Sequence, residues 1–86
     1  MKSSFAGVVF PNDLLEGLSI LTVIRNPIDK NTGVAALTCV NEGMHELRLY
    51  HLRRREDQNF FLTHEIEAFA FRSRKDLNQF LDRLPF

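Results

Sequence analysis

The sequence predicts an α+β domain, an antiparallel β-meander of about five strands closed by one C-terminal amphipathic helix. Runs of β-branched and apolar residues recur between clusters of Asn, Asp, Gly and Pro, the pattern of short strands joined by turns. After residue 73 the apolar spacing changes: Leu77, Phe80, Leu81 and Leu84 fall at i, i+3, i+4 and i+7, one face of a helix. No repeat, low-complexity tract or linker divides the chain, so residues 1–86 are expected to form one domain.

The first strand spans residues 5–10 and stops at Pro11, which has no amide proton for a ladder. Residues 12–17 hold an N-cap type Asn12, two leucines and Gly17, enough for one helical turn acting as a connector. Residues 18–24 and 34–40 are the second and third strands, with the turn formers of 26–33 as an irregular loop between them. Asn41-Glu42-Gly43 then reverses the chain, Gly43 being free to take positive φ.

Residues 44–54 alternate, with Leu47 and Leu49 on one face and Glu46, Arg48 and Tyr50 on the other, as in a half-exposed strand. A turn at 56–59 leads to the long fifth strand, 60–71, with Phe60, Leu62, Ile66, Ala68 and Ala70 expected on one side. Ser73 with Asp76 three residues on opens the helix as a capping box, and Pro85 ends it.

The second and third strands are apolar on both pleat faces, Leu18, Ile20 and Ile24 against Leu21 and Val23, and Val34, Ala36 and Val40 against Ala35, Leu37 and Cys39. A helix of about three turns covers only part of one face. Either the sheet curls into a partial barrel, or the N-terminal strand and turn cover the rest, or the second face packs on another protein chain. Phe69 and Phe71, on the parity opposite Ala68 and Ala70, pack either beneath Leu14 and Leu15 or on a partner. Leu21, Val23, Phe69 and Phe71 are therefore the candidate protein-interface residues.

Eleven Lys and Arg balance eleven Asp and Glu, so no global field draws the chain to nucleic acid or anionic membrane, and nothing long-ranged opposes self-association. The N-terminus does not read as a signal peptide and no apolar run reaches the length of a membrane span, so no membrane role is expected. One cysteine allows no internal disulfide, which fits a reducing, cytoplasmic setting.

Chemistry-bearing groups are sparse. Arg53, Arg54 and Arg55, with Phe60 and Phe61 across the turn, form one basic cluster, and Arg72, Arg74 and Lys75 a second; together they suggest a small RNA- or DNA-binding surface. Glu56 and Asp57 halve the charge of the first, as at a solvated hairpin tip. His51 and His64 can meet across that hairpin, but two imidazoles do not make a zinc site, and no spacing ties His45 or Cys39 to them. Cys39 and His45 can face each other across the 41–43 turn as the start of a nucleophilic dyad, with no oxyanion hole to complete it. Glu65 and Glu67, two apart, share a strand face as a solubilising edge.

No catalytic residue, metal site or cofactor is therefore expected. The leading expectation is a non-enzymatic protein-interaction module, of adaptor or inhibitor type or a homodimer, binding a protein partner or a second copy of itself through an apolar sheet face. Nucleic-acid binding is the alternative.

Overall fold

A turn of two residues sets the register of the sheet. Glu42 and Gly43 both take positive φ, 52° and 78°, which matches the right-handed twist of the strands they join. The computed structural model describes residues 3–5, 7–56 and 59–84. Asp57 and Gln58 of the expected 56–59 turn, and the helix stop expected at Pro85, lie outside them.

The elements are β1 (Ser3–Phe5), β2 (Val8–Phe10), α1 (Asn12–Leu15), β3 (Ser19–Arg25), β4 (Thr32–Asn41), β5 (Met44–Arg54), β6 (Phe60–Phe71) and α2 (Arg74–Asp82). The sheet is six-stranded in the order β1-β2-β6-β5-β4-β3. From β3 to β6 each strand lies antiparallel to the next, a four-stranded meander.

The N-terminal segment departs from the expected all-antiparallel order. It is two short strands, reversing at Gly7 (φ 79°), and β2 lies parallel to β6, Val8 opposite Phe60 and Val9 opposite Phe61. The reason is burial. From Phe10 the chain must reach β3 at the opposite edge, and by crossing the sheet through α1 it covers an apolar face that would otherwise meet water.

Two cores result. On the N-terminal face Val8, Phe10, Leu18, Ala35, Leu37, Leu52 and Phe60 are buried, with Leu14 and Leu15 of α1 packed against them. On the helix face Val34, Ala36, Leu47 and Leu49 of the sheet and Leu77 of α2 form the second buried cluster. The sheet curls into a half-barrel: the Arg25 guanidinium at the end of β3 lies 5.0 Å from the Phe60 ring of β6, three strands away.

Helix α2 starts as expected, Ser73 Oγ accepting from the Asp76 amide at 3.1 Å. It buries Leu77 completely, a contribution of roughly 1.5–3 kcal/mol. Among the described residues no helix is long and apolar enough to cross a membrane.

Candidate functional site

Bulges decide which side chains share a face. One between Ile20 and Thr22 sets Leu21 against the helix-face core and Val23, opposite Ala35, against the N-terminal core. Two in β6 leave Thr63 and Ile66 unpaired and reverse the alternation between them. Glu65 thus falls opposite Tyr50 and Glu67 opposite Leu49, on different faces rather than on one. Ile66 leaves the side of Ala68 and Ala70 and turns to the helix face.

Phe69 and Phe71 are covered by the chain's own terminal helix, not by α1. Their rings lie 4.5 Å and 5.3 Å from that of Phe80, within the range of favourable tilted aromatic pairs. The four residues expected at a protein interface are half-buried, Leu21, Phe69 and Phe71 packed against the helix-face core and Val23 against the N-terminal one.

What stays open is the other end of the helix face, beyond the reach of α2. There a groove of about 320 Å³ has Val34, Gly33 and His51 as its floor, Ile24, Pro27 and Ile28 on one side and Ile66 on the other. Ile28 is 93% exposed and Ile66 44%. Gly33 is required at this floor, because a Cβ there would come within 2.7 Å of the Ile24 carbonyl oxygen.

The loop carrying Ile28 is ordered by its own hydrogen bonds. Asn26 Oδ1 accepts from the amides of Ile28 (2.9 Å) and Asp29 (3.2 Å), and Asp29 Oδ1 from that of Asn31 (3.0 Å). The Asn26 amide donates to Thr32, and the Arg54 amide ties Asn31 to the neighbouring strand at 2.8 Å. Pro27 fixes φ just before Ile28. Reading 26–33 only as turn formers overlooks that an isoleucine sits among them, and this was the one signal available.

His51 and His64 meet as their positions suggested, and Thr63 organises them. Its Oγ1 lies 2.8 Å from Nδ1 of His51, 3.0 Å from Nδ1 of His64 and 3.3 Å from the His51 carbonyl oxygen. The hydroxyl has one proton, and the carbonyl can only accept it. Satisfying all three contacts makes both Nδ1 atoms donors and leaves both Nε2 atoms as acceptors. Among the described residues no three His, Cys, Asp or Glu side chains come together as a metal site.

The basic clusters do not converge. Arg54 pairs with Phe60 at one end of the β5–β6 ladder, while Arg72, Arg74 and Lys75 follow Phe71 at the other. Twelve residues of β6 separate them, roughly 35–40 Å at the usual rise. Phe60 is buried, with the guanidiniums of Arg25 and Arg54 5.0 Å and 4.9 Å from its ring, and that of Arg55 lies 4.9 Å over the Phe61 ring.

No family model, curated protein or solved structure matches the chain. Cys39 and His45 lie on opposite faces, Cys39 opposite Glu46 and His45 opposite Val40, so the dyad is not assembled. At the open end of the N-terminal face Glu46 and Arg48 form an ion pair at 3.1 Å. The hydrogen bond from Arg48, with a second from Asn41, holds the Glu46 carboxyl below the ordinary glutamate range. The Arg48 guanidinium is raised in turn by Glu46 and then Tyr50.

Charge around the groove is divided. Exposed Lys30 and Asp29 in the loop, and Arg53 opposite Thr32, give its loop end a net positive charge; exposed Glu67, opposite Leu49, marks the Ile66 end. Arg53 and Leu49 point to the same face of β5 four residues apart, about 13 Å at the usual rise.

Proposed function

We propose that the chain is a small, non-enzymatic protein-interaction module whose docking surface is the groove between Ile28 and Ile66. One observation carries the reading: a loop held by backbone and side-chain hydrogen bonds presents Ile28 almost wholly to water. An ordered apolar anchor loses little conformational freedom on binding, the property of residues that dominate interface energy. The lip of the groove is β3, whose outer edge is paired with no strand among the described residues. Unpaired peptide groups beside an apolar cleft suit a polypeptide ligand.

A cytoplasmic setting belongs to the same reading, since Cys39 is a free thiol. Nucleic-acid binding draws less support, with Phe60 enclosed and the two basic clusters at opposite ends of β6.

Selection of random phage-displayed peptides on the immobilised chain tests the proposal. Selected peptides should carry an apolar anchor and shift the amide resonances of Ile24, Val34, His51 and Ile66. A selection that yields no specific peptide, or shifts gathered around α1 instead, would overturn it.

A further inference from the structure

We infer that the occupant of the groove is a second copy of this chain, an inference that rests on the docking reading above and names its partner. The groove and the knob that would fill a groove lie on one surface. A two-fold contact uses the same patch on both subunits, so the patch must be complementary to itself. Here the Ile28 end projects furthest, and the Val34 floor between it and Ile66 recedes. A two-fold axis lying in the interface and exchanging the two ends sets each Ile28 against the floor and Ile66 of the other copy.

The net charges agree with that operation. The loop end carries Lys30 and Arg53 against the single carboxylate of Asp29, which accepts the Asn31 amide, and the Ile66 end carries Glu67. Exchanging the ends places a net positive loop end over the Glu67 carboxylate at both sites. A formal net charge of zero adds no long-range repulsion between copies. The apolar middle is short, so the contact belongs at the small end of specific interfaces, below about 1,200 Å² in total, with dissociation on the order of micromolar.

Sedimentation velocity on the full chain, from about 1 μM to several hundred μM, should show a reversible monomer–dimer equilibrium. Ile28→Asp should weaken it at least tenfold, the scale of losing a central anchor, while circular dichroism and the thermal midpoint stay unchanged. Glu67→Lys and Arg53→Glu should each weaken self-association at low salt. Mixing those two variants should restore it as a heterodimer, because both contact sites then regain opposite charges. A wild-type chain monomeric over the whole range overturns the inference. So does a dimer indifferent to Ile28→Asp, or a mixture of folded charge variants that does not recover. If the chain is monomeric yet selected peptides still map to the groove, docking stands and only the second copy falls. If neither association nor peptide binding reaches the groove, both fall.

Discussion

His51 and His64 stack across the β5–β6 ladder, their ring centroids 5.0 Å apart and their planes 16° from parallel. The Thr63 hydroxyl holds both rings by Nδ1, and a β-bulge makes this possible by freeing Thr63 from the alternation of the strand. Removing that oxygen tests the assignment. In Thr63→Val both imidazoles lose their Nδ1 acceptor and should shift toward the Nε2-protonated form, read from ring-nitrogen chemical shifts at neutral pH. Wild-type rings already protonated at Nε2 would contradict the network.

Asn26 acts on Ile28 without touching its chemistry. Asn26→Ala removes the acceptor of two loop amides and should cost about 0.5–1.5 kcal/mol of stability. Its larger effect should be on association, which weakens because the anchor is no longer held in place. Denaturant titration and sedimentation on the same sample separate the two.

Gly33 leaves no room for a side chain. Gly33→Ala drives a methyl group to within 2.7 Å of a β3 carbonyl oxygen, and neither backbone can yield without loosening the β3–β4 pairing. A loss of about 1–3 kcal/mol is expected, seen as a lower urea midpoint and as faster amide exchange in β3.

Leu77 anchors α2. Leu77→Ala should destabilise by about 2–5 kcal/mol, enough to unfold much of a small, marginal domain. Ser73→Ala removes the cap alone and should cost about 1 kcal/mol. A near-neutral Leu77→Ala would mean that α2 does not close the helix-face core.

The Glu46–Arg48 pair gives a pH dependence of known sign. Its folded carboxyl is depressed relative to the unfolded chain, so its contribution is present above the ordinary glutamate pKa and is lost as pH falls through the folded value. Both groups meet solvent, so the effect on stability is small. Carboxyl carbon titration should place Glu46 below the ordinary glutamate range, and Arg48→Gln should move it up.

Much of the architecture was legible, because period and turn chemistry act locally. The meander from Ser19 to Phe71, the Glu42-Gly43 turn and the Ser73 cap all follow from residues within a few positions of one another. The parallel seat of β2 was not legible, since it depends on which face needs cover once the sheet has curled. The candidate site was harder still. Alternation alone put Ile66 beside Ala68 and Val23 beside Leu21, and no local signal places a bulge. A single displaced residue moves everything beyond it to the other face, and the groove exists because of such displacements.

The parallel pairing of Val8 with Phe60 also orders events in time. The hairpins from β3 to β6 join neighbours along the chain and can close as soon as each is synthesised, whereas β2, beyond its short pairing with β1, has no seat in the sheet until the last strand has emerged. Until then Ala35, Leu37 and Leu52 face water. Sealing that side is a late event in the birth of the molecule, and the interval before it is when a nascent chain is most in need of a chaperone.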